Sequence, residues 1–373
     1  MTPPNEVSIT TEPISTESTP NSELNSSVRK IRNDYIALFI GIGVSLILTL
    51  VIWLLTPRLL ELEATFIEDQ GPAWYFWKLP ERNDLIMLSV WILYAFHQVL
   101  IWATIYLAQK YRYTTSLTLK KLNYISLGIN LFFIITHIVH TQLFYDKTAQ
   151  DVPIWTSQGS VILMLSIIIV MENPRRGIIF GKKVNFKKEV IRFFRKYHGY
   201  YIAWALIYTF WFHPSVGHLA HIWGFLYMFL LLLQGSLMYT KIHMNKYWTV
   251  LLEVLVAFHG ALVAVMQAQM QNIPLIQSMW PMFFLGFLGM FILGYMYGLG
   301  WPKWMQILIT SLYVLFMVWL YLPSPFGYGR PYMKLVSVEF LWIPIILFGI
   351  ALVFGYVGNI FVKRTKTEEI KAE

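Results

Sequence analysis

Residues 198–240 read HGYYIAWALIYTFWFHPSVGHLAHIWGFLYMFLLLLQGSLMYT. Two apolar runs, 198–213 and 221–240, flank a short turn that carries His213, His218 and His221. Runs of this kind cannot face water along their length. They also lack the in/out alternation over about 10 residues that marks a strand of a membrane barrel. A helix needs roughly 20 apolar residues to cross a bilayer, and the pair therefore reads as two membrane helices joined by a hairpin turn.

The rest of the chain repeats the pattern. Of its 373 residues 57% are hydrophobic and 13% are charged, against about 25% charged in an ordinary soluble domain. Ten spans are expected, at about 35–55, 85–107, 122–144, 153–171, 198–213, 221–240, 247–267, 279–299, 304–322 and 337–361. The fold class is thus all-α, a polytopic helical bundle. The organisation is a disordered cytoplasmic tail over 1–34, a transmembrane domain over 35–362 and a C-terminal cytoplasmic tail over 363–373. Residues 1–28 hold no Lys or Arg and are rich in Ser, Thr, Pro and Asn; they read as a solvated tail rather than a cleavable leader, with the first helix as an uncleaved anchor. The fifth span is short, and FKKEVIRFFRKYH before it reads as a basic amphipathic segment lying along headgroups.

Charge gives the orientation. With the N-terminus inside and the spans alternating, the cytoplasmic segments carry 23 of the 29 basic residues and the outer ones 6. The loop 172–197 alone holds nine. This is the positive-inside asymmetry, and it predicts N-in, C-in topology. The net charge of +9 is then accounted for by topology. It points to anionic lipid headgroups as partners and not to nucleic acid. The expected location is an integral membrane protein, in the plasma membrane or, for a prokaryote, the inner membrane.

There is no cysteine, which excludes disulfides, thiolate metal sites and cysteine nucleophiles. Phosphate-binding loops, nucleophile elbows and HExxH boxes are absent as well. In GFLGMFILGYMYG, Gly294 and Gly298 have a spacing suited to close helix packing. Pro281 and Pro344 fall within or at the ends of spans and are candidate helix breaks.

The nine histidines remain as the main candidates for chemistry. His137 and His140, in THIVH, share a helix face, as do His218 and His221 in HLAH. With His213 they fall at one membrane level and form a candidate metal set: His137, His140, His213, His218 and His221. Imidazole suits Zn, Cu or Fe, and ligation through neutral nitrogen would weaken as pH falls. A second pattern uses some of the same residues. His198 and His213 are fifteen apart, about 22 Å along a helix, a spacing like that of axial ligands to stacked b-type haems. An inner haem would take His198 and His243, and an outer one His213 with His140 or His259. Alongside these stands a plain reading, in which histidines at a membrane surface are satisfied by water, and His97 makes an interhelical hydrogen bond.

Glu253 is the sole acid well inside a span, so it must be protonated or face a partner or water. Gln98, Asn130, Gln158 and Gln234 are expected to hydrogen-bond between helices. Segment 57–84 mixes apolar, acidic and aromatic residues and could form an interfacial helix or a lid over the histidines.

Three function classes fit this pattern. The first is a redox or metal-dependent membrane protein with an outer histidine site. The second is a transporter or channel for a neutral solute or a metal ion. The third is a non-catalytic subunit of a membrane complex. No catalytic residue can be assigned, because no nucleophile, general base and substrate pocket are visible together.

Overall fold

The computed structural model describes the backbone of residues 20–66 and 77–372, and the side chains of 33–66 and 77–362. Eleven α-helices follow one another: α1 Pro20–Glu63, α2 Asp84–Lys110, α3 Lys121–Phe144, α4 Ile154–Arg176, α5 Lys188–Phe212, α6 Leu219–Ser236, α7 Lys246–Met270, α8 Trp280–Leu293, α9 Lys303–Tyr321, α10 Tyr332–Val336 and α11 Trp342–Ala372. Among the described residues there is no strand, only two isolated bridges. Among the described residues nine helical stretches are long and apolar enough to cross a membrane.

The stretch that departs from the expected ten is α5. Its first turns hold Lys188, Glu189, Arg192, Arg195 and Lys196, which leaves too short an uncharged run. The basic segment expected to lie separately along headgroups is continuous with this helix. Helix α1 begins at Pro20 and takes in part of the segment read as a tail, while residues 1–19 lie outside the described residues. The C-terminal segment from 363 continues α11.

Local chemistry explains several boundaries. The side chain of Asn83 accepts from the backbone N–H groups of Leu85 and Ile86 at the start of α2, and Asn245 does the same for Tyr247 and Trp248 at α7, which satisfies donors that have no helical partner. The two prolines expected as helix breaks stand in first turns instead: Pro281 at the start of α8 and Pro344 at the third residue of α11. There the missing N–H leaves nothing unsatisfied. Gly294 ends α8, and the following 3-10 turn runs Tyr295–Gly298. A Cβ at Gly298 would lie 3.0 Å from the Arg176 Cβ. The glycine pair therefore admits the end of α4 instead of packing two long helices.

Two large apolar cores result. One joins α1 to α6 around Phe210, Trp211 and Phe225, and the other joins α4, α7, α8 and α11 around Met290, Tyr295 and Phe348. The outward faces are apolar too: only 6% of the apolar window of α9 is buried.

Candidate functional site: a polar seam along the third helix

On α3 the residues Asn123, Ser126, Asn130, His137, His140 and Thr141 are all buried. Steps of three and four place them on one face, so an apolar helix carries a polar stripe turned into the bundle. From Asn123 to His140 the stripe rises about 26 Å, close to the roughly 30 Å thickness of a bilayer core.

Its first half is fully bonded. Asn123 Nδ2 donates to the backbone oxygens of Ser236 and Met238, each at 2.8 Å. Asn130 Nδ2 donates to Ser236 Oγ at 2.8 Å. His97 Nε2 donates to Asn130 Oδ1 at 2.8 Å, and His97 Nδ1 accepts from the Trp211 indole at 3.3 Å. An amide oxygen only accepts and an indole N–H only donates, so these two partners set the tautomer. The ring is stacked on Phe133. This is the interhelical bond anticipated for His97. Replacing Asn130 by Ala strands a buried imidazole donor and should lower stability by about 1–3 kcal/mol relative to wild type. Thermal unfolding of the purified proteins measures the difference.

The second half surrounds Lys147, which the sequence reading did not single out. Tyr145 caps α3 with φ +63°, a left-handed conformation strained for a bulky residue, and the chain folds back beneath the helix end. Lys147 is thereby fully buried. Its Nζ lies 3.2 Å from His140 Nδ1 and 5.8 Å from the centre of the Trp211 ring. His140 Nε2 lies 2.9 Å from Ser89 Oγ, which itself donates to the Ile86 oxygen at 2.6 Å. Burial pulls the lysine pKa down to about 7, with neighbouring Asp146 opposing. Burial likewise pushes the Asp146 carboxyl above its usual range, with Lys147 and Arg82 opposing.

Between the halves stands His137, with 0% exposure and no hydrogen bond to either ring nitrogen. The rings of Phe210, Trp211 and Phe225 pack around it at 4.3, 5.0 and 5.6 Å, and the backbone of Phe210 and His213 lies beside it.

A second cluster adjoins the same end. Glu63, the last residue of α1, contacts His218 Nε2 and accepts from Tyr145 Oη at 2.6 Å. The His218 and His221 rings are 5.9 Å apart, and those of His221 and His213 5.5 Å. Trp77 packs 5.0 Å from His221 and 5.1 Å from His213. Glu63 and Trp77 both come from the segment 57–84 expected to cover the histidines. A Cβ at Gly224 would lie 2.8 Å from His259 Cε1, so glycine there brings α7 up against α6.

The structure therefore groups His213, His218 and His221, with His259 beside them, and gives His137 and His140 separate surroundings. Among the described residues no group of three or more His, Asp or Glu has an arrangement that could hold a metal ion. At the opposite end His198 Nδ1 donates to the Arg195 oxygen and His243 Nδ1 to the Gln234 oxygen, each at 2.8 Å. Burial lowers the His243 pKa to about 4. A group neutral in the folded state and charged when unfolded removes stability as pH falls from about 6.5 to about 4, by roughly 1.4 kcal/mol per unit. His243→Gln should flatten the unfolding midpoint over that window.

The anticipated polar contacts divide. Gln234 accepts from the Trp248 indole at 2.7 Å and donates to the His243 oxygen at 2.8 Å. Gln98 is buried without a hydrogen bond, and Gln158 is exposed. Glu253 has a partner in Arg176, through contacts of 2.6 and 3.0 Å. No known family model, curated protein or solved structure matches the chain.

Proposed function

We propose that this chain is an integral membrane protein, N-in and C-in, whose polar seam moves protons across the bilayer. The observation that carries this reading is the buried Lys147–His140 pair at one end of a polar stripe about one membrane thickness long. Ionisable groups at membrane depth are functional candidates because burying them without a role is costly. Lys147, His140 and His137 each carry a group able to give and take a proton, while Ser89 fixes the orientation of His140 and Asn130 that of His97. Outward apolar faces such as that of α9 and the distribution of Lys and Arg favour insertion in this orientation.

The test is reconstitution into liposomes with a lumenal pH indicator, under an imposed pH gradient and a potassium diffusion potential. Wild type should acidify the lumen well above protein-free vesicles, and His140→Leu should lower the rate by about tenfold or more, an added barrier near 1.4 kcal/mol. A His140→Leu rate equal to wild type removes the proposal.

A second reading rests on the chain of contacts through Glu63, His218, His221 and His213, which offers a carboxylate and three imidazoles to Zn, Cu or Fe after side-chain adjustment. Elemental analysis with an oxidised-minus-reduced spectrum tests it, and the same spectrum tests haem at His198, His213, His243 and His259. On this reading His218→Ala with His221→Ala abolishes bound metal; unchanged metal content removes it.

A further inference from the structure

A cavity of about 500 Å³ runs between α1, α3 and α6, within the roughly 300–1,000 Å³ of ligand sites. Its α1 wall extends from Asn33 to Leu48, a rise of about 22 Å. Its floor includes Leu232, Leu233 and Ser236 of α6, with Asn130 of α3. Gly41 makes the close approach of α1 to this floor possible, since a Cβ there would lie 2.5 Å from Leu233 Cδ1. The rim residues remain open: Ile40 is 61% exposed on one side and Tyr124 64% on the other. The cleft thus opens sideways onto the apolar surface, where bilayer acyl chains would lie, and not at an end of the bundle.

Charge marks one end. The α3 wall positions Tyr124, Leu127 and Leu131 continue one turn back to Lys121, which is exposed. Lys241, also exposed, lines a second cavity of about 310 Å³ together with Asp34 and Tyr35 from the same end of α1. Asp34 is buried, with the backbone of Lys241 and Ile242 against its carboxyl. Lys121 and Lys241 therefore lie towards one end of a long apolar groove, with the Asp34 carboxyl close to the Lys241 charge.

We infer that the groove holds one acyl chain of an anionic phospholipid of the cytoplasmic leaflet, with the phosphate placed between Lys121 and Lys241. The length of the apolar wall suits a chain, its sideways opening suits entry from the bilayer, and the cations suit a phosphate at the interface. This inference rests on the membrane reading; the groove shares Asn130 and Ser236 with the seam, and its test reads bound lipid instead of proton movement.

The test is native mass spectrometry of the full-length chain in mild detergent, with phospholipid quantified after extensive washing. Wild type should retain about one phospholipid per chain. Val44→Trp with Leu131→Trp fills the groove from its exposed rim and should lower retention by about tenfold. Ile47→Trp, at a position 62% exposed on the same helix but outside the groove lining, should leave it unchanged. Lys121→Glu with Lys241→Glu should select against anionic lipid by a similar factor. Equal retention in the groove-filled variant, a wild type that retains no lipid, or retention of a neutral prenyl lipid in place of phospholipid would each overturn the inference. Alkaline carbonate extraction separates the two readings: a chain that stays in the pellet but keeps no phospholipid fails only the groove proposal, whereas one released to the supernatant fails the membrane reading.

Discussion

Arg176→Ala or Glu253→Ala lowers stability by about 3–5 kcal/mol, because each leaves the opposite charge buried and unpaired. Both side chains are almost fully enclosed, with 2% and 8% exposure. The guanidinium meets the carboxylate through two hydrogen bonds at 2.6 and 3.0 Å and lies 4.2 Å from the centre of the Tyr295 ring. The pair ties the end of α4 to α7 inside the second apolar core, so the fold offers no water to the survivor. Removing both charges has a different outcome. Arg176→Met with Glu253→Leu replaces an ion pair by apolar volume, a change often neutral or stabilising. Thermal unfolding of the detergent-solubilised single and double variants should show the double close to wild type and both singles well below it. Additive losses in the double would mean that packing, and not desolvated charge, governs the site.

Lys147→Met should make the protein more stable near neutral pH while removing proton movement. The sign follows from the two states. The lysine pKa is about 7 in the folded protein against 10.5 for the free side chain. Between those values the unfolded chain binds the proton and the folded one does not, so wild-type stability rises with pH across that window, by roughly 1.4 kcal/mol per unit. Below about 7 both states are protonated and the desolvation penalty is present in full. Methionine fills similar volume without a charge and should remove the slope. Asp146 loses a partner in the exchange, so Lys147→Met with Asp146→Asn isolates the lysine contribution. Unfolding midpoints of wild type and both variants from pH 6 to pH 10 report it. A wild-type midpoint that does not rise with pH relative to Lys147→Met would show that the amine is charged and solvated in the folded state.

Hydropathy reads depth along a chain but not direction around it, and this divides what the sequence revealed from what it concealed. The helical bundle and most of its spans follow from apolar run lengths. The HxxH pairs follow from helical spacing, and both members of THIVH are buried as their shared face implies. Which helices face one another is set by side-chain packing across elements, and no local pattern records it. His137 and His140 therefore meet aromatic rings, Ser89 and Lys147 instead of His218 and His221. Arg176 belongs by sequence to a cytoplasmic basic loop, yet it is the last residue of α4 and points into the core. Lys147 lies in FYDKTAQDVP, an eight-residue link between two apolar runs, and is one of the six basic residues that the charge asymmetry assigns to the outer side. A loop so short has to cross the bundle end, and that was the available signal. Glu63 and Trp77 were visible only as parts of a mixed segment.

The measurement that bears most directly on the seam is the rate of proton entry into liposomes holding wild type or Lys147→Met, recorded between pH 6 and pH 8 at fixed driving force. The wild-type rate should change with pH around 7, near the pKa of the buried amine, and the variant rate should stay at the level of protein-free vesicles throughout. A Lys147→Met rate that matches wild type in size and pH profile would contradict proton movement along the seam.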